Sequence, residues 1–171
     1  MRVMKTNVYE FKELSETGKE KALENLGNIN LDYDWWDCLY EDADNIGLKI
    51  TSFDLDRNRH ATGGFTLDVL EVAANIIRGH GDTCETYKTA EAFLAEHATP
   101  YAEYLDETSE HYESKNKEDE LIEIENEFLK DILEDYSIML QKTYEYLCSD
   151  KAIIETIEAN EYEFTVEGKL I

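Results

Sequence analysis

The sequence predicts an α+β fold in which a small antiparallel or mixed sheet packs with helices and a long acidic amphipathic helix fills much of the C-terminal half. Three observations lead there. Stretches that alternate polar and apolar residues lie early and late in the chain, with helical periodicities between them. The strongest periodicity runs from Leu121 to Leu147. One Pro and eight Gly in 171 residues leave regular structure little interrupted.

Val3 to Phe11 alternates and holds Val8, Tyr9 and Phe11, which predicts a first strand. Ser15 is a candidate N-cap for a helix over Glu16–Leu26, stopped by Gly27. Asp32 or Asp34 is expected to cap a second helix whose stripe is Trp35, Trp36, Leu39, Tyr40, Ala43 and Ile46, closed by Gly47. Of the two adjacent Trp, one should anchor the core and the other lie near an edge. Leu48–Leu55 alternates and Gly63-Gly64-Phe65 suggests its return strand, a β-hairpin with Arg57 and Arg59 at a basic tip.

A third helix is expected from Leu67 to Arg78, with Leu67, Leu70, Ala74 and Ile77 on one side and Gly79 and Gly81 closing it. Thr89 is read as the cap of a fourth over Ala90–His97, after which Pro100 restarts the chain. The acidic stretch to Asn116 is weakly periodic and reads equally as helix or connection. In the long helix, Leu121, Leu129, Ile132, Leu133, Tyr136, Met139, Leu140 and Leu147 share one face. Ser149 begins a short helix with Ala152, Ile153 and Ile157, and Tyr162–Val166 alternates as a last strand.

With 42% hydrophobic and 11% aromatic residues the chain can fill a core. It is expected to form a single domain over 1–171, an α+β core with a helical acidic element at about 101–148. Cys38, Cys84 and Cys148 are far apart and odd in number, which suggests neither a disulfide framework nor a zinc site and fits a reduced, cytoplasmic setting. The amino terminus lacks an apolar signal-type region, and no stretch approaches the ~18 apolar residues of a membrane span.

The formal net charge is −24, and residues 101–171 hold 21 Asp and Glu against six Lys. A surface this acidic repels nucleic acid and anionic membranes and suits a basic partner. Opposite the apolar stripe of the long helix lie Asp119, Glu120, Glu123, Glu127, Asp131, Glu134 and Asp135. Glu123, Glu127, Asp131 and Asp135 are spaced i,i+4, one column of carboxylates about 6 Å apart at ~1.5 Å rise per residue. Each such like-charge step costs an isolated helix roughly 0.2–0.5 kcal/mol. Duplex DNA carries one charge per ~1.7 Å, so the face is a sparser rod of the same sign. The simpler meaning of a charge run is a solvated face tuned for solubility.

Motifs for chemistry are few. Asp54-Leu55-Asp56-Arg57-Asn58 starts like a calcium loop but has Arg59 where Gly is required and Phe65 where a bidentate Glu is required. Asp54 and Asp56 remain a candidate divalent-ion pair, with an ion pair to Arg57 or Arg59 the alternative. His80-Gly81-Asp82-Thr83-Cys84-Glu85 places a thiol near a base, though such a loop more often makes turn contacts. His60, His97 and His111 are scattered, and neither phosphate-loop, dinucleotide nor nucleophile-elbow glycine motifs occur. No catalytic residue, metal or cofactor is therefore assigned.

Glu13-Leu14-Ser15-Glu16, Asp32-Tyr33-Asp34-Trp35-Trp36, Tyr40-Glu41-Asp42-Ala43, Ile46-Gly47-Leu48-Lys49-Ile50 and Phe53-Asp54-Leu55-Asp56-Arg57 together resemble a family of small acidic bacteriophage and prophage proteins. His80-Gly81-Asp82, Cys84-Glu85-Thr86-Tyr87 and Asn160-Glu161-Tyr162-Glu163-Phe164 extend the resemblance almost end to end. It carries over no functional residue. In charge and context such proteins are similar to anti-restriction and anti-CRISPR inhibitors that imitate DNA.

The expectation is a non-enzymatic anti-defence inhibitor in the cytoplasm of a host bacterium. It would bind a basic nucleic-acid-handling protein through Glu120, Glu123, Glu127, Asp131, Glu134 and Asp135, extended by Glu103, Asp106, Glu107, Glu110 and Glu113. The alternative is an interaction or assembly protein that binds through its Tyr and Trp surface. The wide apolar face of the long helix would also serve a homodimer.

Overall fold

The computed structural model describes residues 7–171. In chain order the elements are β1 (Tyr9–Glu10), α1 (Glu16–Asn25), α2 (Asp37–Ile46), β2 (Leu48–Asp54), β3 (His60–Phe65), α3 (Val69–Gly79), α4 (Glu85–Leu105), α5 (Lys115–Leu147), α6 (Asp150–Ala159) and β4 (Glu163–Phe164). The fold is α+β, with two antiparallel two-stranded sheets among the described residues, β1 with β4 and β2 with β3. The chain packs as two compact units: residues up to Trp35 together with Lys142–Ile171, and Trp36–Gln141.

In the first unit, Ser15 caps α1 by accepting the Gly18 N–H at 3.2 Å, and Ser149 caps α6 by accepting that of Ala152 at 3.3 Å. Both caps were readable because a Ser before a periodic run satisfies an otherwise orphan donor. The strands are shorter than alternation predicts. Tyr9 faces Phe164 and Glu10 faces Glu163, and pairing stops there because Phe11–Glu13 turns into a 3-10 helix. Residues 3–6 of the expected first strand lie outside the described residues.

The core of this unit joins Phe11, Leu14, Ala22, Ile153, Ile157 and Phe164. Buried Asn30 locks it by donating to the Leu147 carbonyl at 3.0 Å and accepting from the Thr156 hydroxyl at 2.7 Å. Gly168, at φ +81°, lies so close to α1 that a Cβ there would fall 2.1 Å from the Gly18 carbonyl oxygen.

The second unit is built on the β2–β3 hairpin. α2 begins only at Asp37, so neither Asp32 nor Asp34 caps it: Ile29–Leu31 is a 3-10 turn, and the Trp35 N–H closes onto the Tyr33 carbonyl at 2.7 Å, using up that stretch in turns. Trp35 is buried and meets Tyr144 in the first unit, whereas half-buried Trp36 meets Phe53. Gly47 ends α2 in the left-handed region at φ +91°. In the hairpin, Leu48 faces Phe65 and Asp54 faces His60, and Thr51 is an extra residue between the Ile50–Gly63 and Ser52–Thr62 pairs. Gly63 permits the close pairing, since a Cβ there would sit 2.3 Å from the Lys49 carbonyl oxygen.

α3 buries Val72, Ala73 and Ile76, while Leu67 and Ala74 are exposed. Asp68 caps the helix by accepting from the Leu70 N–H at 3.0 Å, so it starts at Val69, and its buried face centres on Val72 and Ile76, with Leu70 and Ile77 of the expected stripe at its margin. α4 is longer than expected. It starts at Glu85 with Cys84 at its cap position and continues through Pro100 to Leu105, so Thr89 is interior and Pro100 is no boundary. Proline removes one backbone donor and crowds the preceding turn. Here Phe93, His97 and Pro100 are all buried on that stretch, and their packing offsets the lost bond.

α5 starts at Lys115 and buries Leu121, Phe128, Ile132, Tyr136, Ser137 and Leu140. Leu129, Leu133 and Met139 pack against the core beside them, so the expected apolar face agrees with the structure except that it omits Phe128. α4 and α5 run antiparallel: Thr89 meets Asp135, Phe93 stacks on Phe128 with ring centres 4.2 Å apart, His97 meets Glu125 and Glu103 meets Lys117.

Candidate functional site

The acidic side chains of α5 stand on a helix whose register is set by the apolar face beneath them. Glu120, Glu123, Glu127, Asp131 and Glu134 are exposed, and Asp135 is partly buried. They are not electrically equivalent. Glu120 shares Lys117 with Glu103, at 2.6 and 3.0 Å, and Glu127 pairs with Lys130 at 2.8 Å. Each ammonium is held protonated above its ordinary range, Lys117 by its hydrogen bonds to Glu120 and then Glu103, Lys130 by that to Glu127.

Glu134 is paired by a residue 75 positions away. Arg59, from the hairpin tip, donates to Glu134, from Nε to the Ser137 hydroxyl at 3.1 Å and to the Gln141 side-chain oxygen at 3.2 Å. Arg59 therefore folds onto α5, and among the described residues neither Arg57 nor Arg59 forms an ion pair with Asp54 or Asp56. Asp54 instead accepts the Asp56 N–H at 2.7 Å, a turn contact. Among the described residues no three His, Cys, Asp or Glu side chains gather as a metal-holding group.

Asp135 accepts from the Thr89 hydroxyl at 2.8 Å. Burial pushes its carboxyl above the usual range, and the neighbouring charges of Glu85, Asp131 and Glu134 add to this against the Thr89 bond. Of the expected column, Glu123 and Asp131 form no ion pair among the described residues. The extension beyond the helix is less regular. Glu103 belongs to α4, and Asp106, Glu107, Glu110 and Glu113 lie in the turns between α4 and α5. Asp106 accepts from the hydroxyl and backbone of Thr108, which hold its carboxyl below the usual range. Glu113 has φ +45° and donates its N–H to the Tyr104 carbonyl at 3.0 Å.

The loop that starts at His80 makes a different contact from the nucleophile and base considered for it. His80 Nδ1 is 2.7 Å from the Thr86 hydroxyl, and its Nε2 is 3.6 Å from Asp42, whose other oxygen accepts from the Tyr136 hydroxyl at 2.6 Å. Thr86 and Tyr136 are buried while Asp42 is partly exposed, so this chain of polar groups runs from the interior to the surface and ties α2, α4 and α5 to the end of α3. The neighbouring His80 imidazole and then the hydrogen bond from Tyr136 hold the Asp42 carboxyl below its usual range, against burial. Cys84 is exposed.

Sequence reasoning missed the groove between α4 and α5. It has a volume of about 300 Å³ and is lined by Ala92, Phe93, Ile124 and Phe128, with Lys88, Glu96, Glu127 and Asp131 around it. Lys88, Ala92 and Glu96 share a face of α4 at i,i+4 spacing, a signal obscured by reading Thr89 as the cap and Ala90 as the start of the helix. No helix among the described residues is long and apolar enough to cross a membrane. No protein-family model matches the chain, and neither a curated protein nor a solved structure matches it.

Proposed function

We propose that this protein is a phage-encoded anti-defence inhibitor, not an enzyme, which binds a basic nucleic-acid-handling host protein by DNA-like charge mimicry. A restriction or CRISPR effector in the host cytoplasm is the partner class. The observation that supports the reading is the exposed acid row of α5, in which Glu123 and Asp131 stand without an ion pair among the described residues while a net charge of −24 lies behind them. A rigid helix presenting carboxylates at fixed spacing meets a basic groove with little loss of side-chain freedom. Glu120, Glu127 and Glu134 contribute less, because Lys117, Lys130 and Arg59 already offset them.

The test is capture of partners from host lysate by the tagged protein at low and high salt, beside the triple variant Glu123→Lys, Glu127→Lys, Asp131→Lys. Capture of a nuclease, methyltransferase or CRISPR effector that high salt or competitor DNA reverses, and that the variant loses while keeping its helical circular dichroism, is the expected result. Undiminished capture by the variant sinks the reading.

A second reading is favoured by exposed aromatic rings, Tyr33 at 60% and Tyr146 at 49% relative exposure. Here the protein assembles with its partner through Tyr and Trp surface, and the acids serve solubility. Salt-resistant capture of a protein lacking a nucleic-acid groove is its expected outcome.

A further inference from the structure

We propose that the groove between α4 and α5 is a docking site for a basic helical segment of the partner that carries an apolar anchor, with the anchor seated between the helices and its flanking Lys or Arg on Glu96 and Asp131. The inference rests on the charge-mimicry reading and gives it a specific point of contact.

Three observations converge on this groove. Its floor is already rigid: Phe93 and Phe128 are each 3% exposed and stack at an interplanar angle of 13°, so the surface above them is preformed. Ala92 is the small residue that leaves the cleft open on the α4 side, and partly exposed Ile124 supplies an apolar wall from α5. A volume of about 300 Å³ is at the low end of ligand clefts, which fits one or two side chains.

Charge selects the occupant. Glu96 and Asp131 border the groove without an ion pair among the described residues, while its two neighbouring cations are engaged, Lys88 with Glu85 at 2.8 Å and Lys130 with Glu127 at 2.8 Å. Asp135, bonded to Thr89 where α4 and α5 meet, has its carboxyl raised first by burial, with the charges of Glu85, Asp131 and Glu134 adding to this. An apolar floor with an acidic border is complementary to an amphipathic segment with basic flanks, the helix-in-groove mode. An acidic or neutral segment would leave Glu96 and Asp131 facing like charge or desolvated without a counterion.

The probes are two fluorescein-labelled synthetic helices of equal charge, one of Lys with Leu at i,i+3/i+4 positions and one of Lys with Ala in place of Leu. Binding to the full chain is followed by fluorescence anisotropy at low and high salt. Docking in the groove predicts that the Leu helix binds at least about tenfold more tightly, the increment expected for burying one large side chain. Ala92→Trp, which fills the cleft, and Glu96→Lys, which reverses its border, should both erase that preference. Glu20→Lys, on the exposed face of α1, should keep it.

Equal, salt-sensitive binding of both helices overturns the groove and leaves the charge reading standing. Binding of neither overturns the groove and removes support from the charge reading as well. A Leu preference that survives both Ala92→Trp and Glu96→Lys overturns the site, as does a dimer on sedimentation that Ala92→Trp dissociates, because a second copy then covers the groove. Circular dichroism shows whether Ala92→Trp is folded, and Glu96→Lys carries the test if it is not.

Discussion

Tyr136 is fully buried and donates its hydroxyl to Asp42, and the energetic consequence is local. Burial and the Asp42 charge keep the phenol protonated, so the bond persists across ordinary pH. Removing the hydroxyl as Tyr136→Phe should cost about 1.5–3 kcal/mol in urea unfolding, the range for a hydrogen bond to a charged acceptor. The Asp42 carboxyl is depressed by His80 first and Tyr136 next. Its contribution is therefore complete above the unfolded carboxylate value of about 3.9 and is lost as pH falls through the lower folded value. The Tyr136→Phe difference should shrink in acid accordingly. Asp135 has the opposite sign. With its folded carboxyl raised, the ionised form opposes folding at neutral pH, and the opposition fades as pH falls through the folded value. Asp135→Asn, which can still accept from Thr89, should unfold at higher urea than the parent at neutral pH and lose that advantage near pH ~4. An Asn variant less stable at neutral pH would show that the Thr89 bond outweighs the burial of the charge.

Between elements, Arg59 couples the β2–β3 hairpin to α5 through three side chains at once. A guanidinium can spread donors over Ser137, Gln141 and Glu134, and an ammonium cannot. Arg59→Lys should therefore destabilise the second unit by about 1–2 kcal/mol although the charge is kept. Equal melting of Arg59→Lys and the parent would reduce the contact to an incidental surface pair. Such a contact was out of reach of sequence reasoning. The basic tip was legible, but its acceptor lies 75 residues on, and an adjacent Asp pair offered a plausible local partner. Pro100 shows the same limit from the other side. Its local preference ends a helix, and the burial of Phe93, His97 and Pro100 overrides that preference by an amount no window of sequence displays.

Across the whole molecule, a formal charge of −24 implies self-repulsion that opposes the compact state. Screening should stabilise the fold, so the melting temperature is expected to rise by several degrees between low salt and about 0.5 M sodium chloride. A melting temperature that falls with added salt would mean that the ion pairs of Lys117, Lys130 and Arg59 outweigh the repulsion. The charge of the candidate site was fully readable from composition and spacing. Its distribution was not, because three of the six acids expected on α5 are offset by cations, one of them brought from a distant hairpin.

Amino-acid order was enough to specify the fold class, the α1 and α6 caps, the Leu48-to-Phe65 hairpin, the apolar face of α5 and the acidic row opposite it. Each of these depends on residues within a few turns or on strand alternation, where backbone sterics and periodicity act directly. Packing in three dimensions was needed to carry α4 through Pro100, to bring Arg59 onto α5, to close His80 onto Asp42 and Thr86, and to stack Phe93 and Phe128 beneath an acid-bordered groove. These contacts join side chains far apart in sequence, and their energies arise from packing and desolvation that exist only once the elements have come together.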